Sequence, residues 1–192
     1  SHDTERAPQS VGTAGVRDAR SAATLPVRSR LRSTARREIV RASLATVDRP
    51  MGQWADRLLG VAATARRDGV PITELDVLLH SDVPIGAGLS SSAAIEVAFA
   101  TVLEAAASPV AIARRWQAAE HAFAGVPCGI MDPLVSAAAQ AGQALLIDCR
   151  SLRVEQVPLP AELAILIVET PARRDLAEGA YAERRRSGVD AA

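Results

Sequence analysis

The sequence predicts an α+β fold, with strands and helices mixed and no regular βαβ repeat of the kind that builds a doubly wound parallel sheet. Three observations lead there. Apolar and polar residues alternate over residues 27–33 and again over 39–47, the period of half-buried strands. Met51, Trp54, Leu58, Val61, Ala62 and Ala65 recur at three- and four-residue steps, the stripe of an amphipathic helix. The 192 residues are 48% hydrophobic and 23% charged, the balance of a globular domain or of a large piece of a two-domain protein. Aromatics make up only 3%, so the core is expected to be packed closely from Ala, Val, Leu and Ile.

Residues 1–26 are rich in Ser, Thr, Ala, Gly and Arg without a sustained apolar period. They read as a poorly ordered or non-homologous arm that carries no chemistry, and residues 27–192 as the domain. The two alternating segments fit an antiparallel pair. Pro50 stands where a first helical residue often does, and Gly69 closes that helix. Residues 75–81 read as a buried strand running into Pro84-Ile85-Gly86-Ala87-Gly88-Leu89-Ser90-Ser91-Ser92-Ala93-Ala94, followed by an Ala-rich helix to about residue 107. Ser108 caps the next helix and Pro109 opens it; this helix carries Trp116, Glu120 and Phe123 until Gly125 stops it. After the loop 125–132, a helix over 133–141 leads to strands over 144–149, 154–157 and 164–169. A charged helix with Tyr181 and Arg184-Arg185-Arg186 ends the sequence.

Lys and Arg (22) balance Asp and Glu (22), which argues against nucleic acid or an anionic membrane as partner and for a small ligand. The two cysteines, Cys128 and Cys149, are too few for a disulfide framework, and no secretory or long apolar span is present. The expected compartment is the cytoplasm. His80 and His121 have no second histidine or cysteine at metal-ligand spacing, so a zinc site is not expected. Cys128 reads as a small packing residue and Arg184 to Arg186 as a solvated face.

Residues 86–92 hold what a polyphosphate needs: glycines that let backbone N–H groups approach, then hydroxyls at the positive end of a helix. No Gly-Lys-Ser/Thr follows and the third glycine of a dinucleotide fingerprint is absent. A tight turn whose serines merely cap the helix stays open beside the anion cradle. Two further pairs of readings stay open as well. Glu120, an acid late in a helix, fits either solvated surface or a metal ligand, and Asp132 fits either an N-cap or a carboxylate that accepts a proton.

The run from Pro84 to Ala94 resembles, almost letter for letter, the second motif of the GHMP small-molecule kinases, with the triple serine of the galactokinases. Ala119-Glu120-His121-Ala122-Phe123-Ala124-Gly125-Val126-Pro127-Cys128-Gly129-Ile130-Met131-Asp132 resembles the galactokinase run joining a Mg²⁺-binding glutamate to the catalytic aspartate. The likeness extends over about residues 27–186 and is strongest over 82–100 and 120–148. It implies the GHMP kinase N-terminal domain fold, ribosomal protein S5 domain 2-like, and ATP-dependent phosphorylation of D-galactose at its anomeric hydroxyl. By the same resemblance Pro84, Gly86, Gly88, Leu89, Ser90, Ser91, Ser92 and Ala93 hold the ATP phosphates. Ser91 and Glu120 bind Mg²⁺, with Ser90 and Ser92 as the other candidate hydroxyls. Asp132 is the base, and Gly129, Asp132 and Tyr181 contact the sugar. The family's early Gly-Arg-x-Asn-Leu-Ile-Gly-Glu-His motif has no counterpart here, its C-terminal half is missing after Tyr181, and its Met-Asp-Gln reads Met131-Asp132-Pro133. The resemblance therefore implies a domain with weak activity on its own and with apolar surface through which it self-associates. A kinase for another sugar and a non-catalytic ATP- or sugar-binding protein are the alternatives.

Overall fold

A computed structural model of the chain describes residues 15–18, 29–35, 38–125 and 128–168. Four strands, β1 (Gly15–Asp18), β2 (Ser29–Ser33), β3 (Ile39–Ala42) and β4 (Leu75–Leu79), form one sheet in the order β1-β4-β2-β3. β2 and β3 pair antiparallel as the alternation predicts, whereas β2 and β4 run parallel. The register sets Leu31 beside both Val40 and Val77, an aliphatic row that is at most 5% exposed. The arm over 1–26 is not without regular structure: Gly15–Asp18 pairs antiparallel with β4. The reason is that β4 otherwise has a free edge, and any extended segment can satisfy its backbone groups.

Helix α1 (Asp56–Arg67) packs on this sheet through Leu58, Leu59, Val61, Ala62 and Ala65. It starts six residues after Pro50, because the Asp56 carboxylate accepts the amides of Met51 (2.8 Å), Gly52 (2.7 Å) and Gln53 (2.9 Å) and folds residues 51–55 into a turn. Gly69, at φ +86°, ends it as expected. Helix α2 (Ser91–Leu103) stops short of residue 107, where Glu104 turns extended and its carboxylate meets Arg115 at 2.6 Å. Helix α3 (Pro109–Ala119) has the expected cap, with Ser108 Oγ accepting the Ala111 amide at 3.2 Å. Arg115, 7% exposed, also binds Asp68 just past α1, so one guanidinium ties these helices together.

The helix expected to continue to Gly125 widens into a single π-helical turn over Glu120–Ala124. Helix α4 (Met131–Ala138) begins two residues before Pro133 and ends three before residue 141. Proline is tolerated there because the first-turn amides have no intrahelical acceptor. Strands β5 (Gln143–Asp148) and β6 (Arg153–Pro158) form a separate antiparallel hairpin. Its turn is closed by Asp148, which accepts from the Arg150 amide at 2.9 Å and the Ser151 hydroxyl at 2.7 Å.

The third strand of that group is not formed. Residues 164–168 pair with no strand of the described residues, and Ile165, Leu166, Ile167 and Val168 are 60–86% exposed. An apolar run becomes a strand only where a neighbour can take its amides, and among the described residues none pairs with it. The C-terminal helix expected around Tyr181 lies outside the described residues. The core is aliphatic around Phe99 and Trp116, as the composition predicts. Among the described residues no helix is long and apolar enough to cross a membrane.

Candidate functional site

The site begins where β4 leaves the sheet. Residues 80–90 lead from its end to the start of α2, and Gly86 (φ +81°) and Gly88 (φ +75°) take left-handed conformations that L side chains rarely adopt. A Cβ at either position would meet nothing within 4 Å, so it is the backbone conformation, and not crowding, that calls for glycine. Ser90 joins them at φ +54° without a glycine's freedom. It occupies the N-cap position of α2, and its carbonyl accepts the Ala94 amide at 3.0 Å. The amides of Ser91, Ser92 and Ala93 are therefore the unpaired donors of the first turn, at the positive end of a helix.

The Ser90 side chain does not cap the helix. Its hydroxyl instead donates to Asp132 Oδ2 at 2.6 Å, across 42 residues of sequence. This bond brings the glycine–serine loop and the aspartate into one site. It also corrects the N-cap alternative for Asp132: Ile130 holds the cap position, and Asp132 is the second residue of α4, half-buried with its carboxylate turned to the loop.

The segment between Glu120 and Asp132 is held from below by side chains. Gln117 Nε2 donates to the Cys128 carbonyl at 3.1 Å, and His121 Nε2 lies 3.3 Å from the same oxygen. His121 thus serves the loop, and Gly129 follows directly on this fixed point. Phe123 of the π turn packs against Gly60 of α1, where a Cβ would stand 3.0 Å from the Phe123 Cβ and from Cγ of its ring.

Glu120 opens the π turn that follows α3. It is 4% exposed and paired with Arg57, whose Nη1 also lies 3.0 Å from Glu96 Oε1. Burial, and then the neighbouring charge of Glu120, push the Glu96 carboxyl well above the usual glutamate range against the pull of Arg57. Burial alone would lower the Arg57 pKa, but the carboxylates of Glu120 and Glu96 outweigh it and hold the guanidinium above its ordinary value. Sequence reasoning missed Arg57 and Glu96. The available signal was Glu96 itself, a lone acid between Ile95 and Val97 in an otherwise apolar stretch of helix.

Of the cradle residues, Pro84, Gly86, Gly88, Leu89 and Ser90 line the loop, while Ser91, Ser92 and Ala93 make the first turn of α2. Tyr181 lies outside the described residues.

The description "GHMP kinases N terminal domain" matches residues 56–140, the span from the first residue of α1 to just past α4. These residues have the fold of a GHMP kinase N-terminal domain. A galactokinase of Chloroflexus aurantiacus is 42% identical to this chain over 137 residues, covering 69% of the chain and 35% of that protein. One of Canis lupus familiaris is 45% identical over 139 residues, covering 70% and 35%. The chain thus spans about a third of the length of these relatives. In fold it is similar to the crystal structure of Lactococcus lactis galactokinase complexed with galactose, with a TM-score of 0.76 at 23% identity over 94% of this chain and 47% of that one.

Proposed function

We propose that this chain supplies the nucleotide- and sugar-binding part of a galactokinase, which transfers the γ-phosphoryl group of ATP to the anomeric hydroxyl of D-galactose and yields galactose 1-phosphate and ADP. The observation that supports this reading is the Ser90–Asp132 hydrogen bond, by which a carboxylate meets the loop that leads into α2. Residues 86–93 receive the triphosphate on backbone N–H groups and serine hydroxyls, with the α2 dipole favouring its charge. Asp132 accepts or orients the anomeric proton as that sugar oxygen bonds to the γ-phosphorus and the bond to the β,γ-bridging oxygen breaks. Gly129 and Tyr181 complete the sugar contacts.

A hydroxyl and a carboxylate are hard oxygen donors, so Ser91 and Glu120 suit Mg²⁺ in chemical type. When bound, Mg²⁺ neutralises charge on the phosphate oxygens. The pairing of Glu120 with Arg57 means its carboxylate is already partly neutralised. The cytoplasm is the proposed compartment, and the exposed apolar run of residues 163–168 supports self-association.

Isothermal titration of ATP and of galactose into the chain, with ³¹P detection of galactose 1-phosphate, tests the reading. Asp132→Asn is expected to keep ATP affinity within about two-fold and to lower turnover by about 10²-fold or more. Turnover unaffected by that change, or no ATP binding by the parent chain, sinks it. A panel of other sugars separates galactose from its rivals.

A further inference from the structure

The outer face of the four-stranded sheet, opposite the side that buries Leu31, Val40 and Val77, carries charge that the described residues do not balance. The register sets Arg30 between Asp76 of β4 and Arg41 of β3, and the next outward row sets Arg32 between Leu78 and Ile39. Asp76 pairs with Arg30. Arg32 and Arg41 are exposed and have no hydrogen-bond or ion-pair partner among the described residues. Leu78 and Ile39 are exposed as well, at 48% and 45%. Residues 30–41 hold five arginines against one acid, Glu38, in a chain whose charges as a whole sum to zero. Like charges set opposite each other across strands are destabilising, so the Arg30–Arg41 pair is a cost that an added carboxylate would offset.

We propose that this face docks an acidic protein segment that carries aliphatic side chains among its carboxylates. A guanidinium presents a planar fork that takes a carboxylate through two N–H donors, and Arg32 and Arg41 offer such forks on neighbouring strands. Leu78 and Ile39 flank Arg32 on both sides, which gives the partner's aliphatic groups a place beside its charges. Protein fits better than nucleic acid, because the four strands carry no aromatic residue for bases to stack on. With a net charge of zero the chain also has no overall field to gather a polyanion or an anionic membrane. The docking face does not depend on the kinase reading, since none of its residues belongs to the glycine–serine loop or to α4.

A fluorescein-labelled peptide of repeating Glu-Glu-Leu, titrated with the full chain and followed by fluorescence anisotropy, is the probe. Binding is expected at about 10 μM in low salt. Arg32→Glu combined with Arg41→Glu should weaken it about 10-fold or more. Arg32→Lys with Arg41→Lys keeps the charge, loses the forks and costs about 3-fold. Ile39→Ser with Leu78→Ser leaves the charge alone and also costs about 3-fold. All four side chains are exposed, so these variants should melt as the parent does. Where a paired variant fails to melt cooperatively, Arg32→Gln and Arg41→Gln made singly decide, each with a loss of about 3-fold. Tighter binding of a labelled oligouridylate or of phosphatidylglycerol vesicles than of the peptide overturns the proposal. So does release of the peptide as the chain concentration rises, the mark of a second copy taking the face. No peptide binding, or an affinity that the two charge reversals leave unchanged, overturns it equally.

Discussion

Ser90 holds a backbone conformation that costs a non-glycine residue about 1 kcal/mol, and it does so just after two glycines that take similar angles freely. Glycine here would relieve that strain, so the serine is retained for its hydroxyl, which reaches Asp132. A hydrogen bond to a half-buried carboxylate contributes about 1 kcal/mol, similar to the strain. Ser90→Gly should therefore leave stability within about 1 kcal/mol, because loss of the bond and relief of the backbone offset each other. Catalysis should not be spared, since an unanchored carboxylate samples more orientations, and turnover should fall about 10-fold. Urea melts and a galactose phosphorylation assay read the two effects separately. Full turnover in Ser90→Gly would mean that Asp132 is oriented by something else.

At the scale of elements, two contacts hold the site-bearing segments on the sheet. Gly60 lets α1 lie against Phe123, the residue that keeps the π turn in place. Alanine at 60 gains about 1 kcal/mol of helix propensity, but its Cβ would press on the ring, and overpacking costs about 1–3 kcal/mol. Crowding should win: Gly60→Ala is expected to lower the urea midpoint, and an unchanged or raised midpoint would show that the ring can yield. The second contact is Glu74, just before β4. Its carboxylate accepts from the Ser29 hydroxyl (2.6 Å) and amide (3.0 Å), the Leu44 amide (3.1 Å) and the Ser43 hydroxyl, joining β2 to the segment after β3. Burial on its own would raise this carboxyl's pKa, but the hydrogen bonds from Ser29, Ser43 and Leu44 outweigh it and hold it below the usual value. A carboxyl depressed in the folded state adds stability that is present above its unfolded pKa, about 4.3, and is lost as pH falls through the folded value. The stability gap between the parent and Glu74→Gln should thus be constant from neutral pH down to about pH 5 and close below about pH 4. A gap that stays open in acid would show that the charge of Glu74 is not what these donors hold.

Across the whole molecule, the sequence was legible where local structure is written in consecutive residues. The cradle, the loop around Cys128 and Asp132 are short runs whose turn and cap chemistry is local, so their elements were placed to within a few residues. The ion pairs of Arg57 were not, because they join residues 57, 96 and 120 through packing of α1 on α2, and no local pattern encodes that crossing. Over the described residues 164–168 the expected strand failed for a related reason. Their apolar composition announces a strand, but a strand exists only with a partner, and the β5–β6 hairpin does not provide one here. That leaves Leu163, Ile165, Leu166, Ile167 and Val168 each at least 60% exposed in one stretch, with Leu146 at 63% on the hairpin. Solvated apolar runs with unpaired amides favour pairing with another copy. Analytical ultracentrifugation should find concentration-dependent association of the chain. Ile165→Lys with Leu166→Lys should shift it to monomer without lowering the melting temperature, because neither side chain is packed in the fold. A parent chain that sediments as a monomer over the whole accessible concentration range, or association that survives both lysines, would place the sticky surface elsewhere.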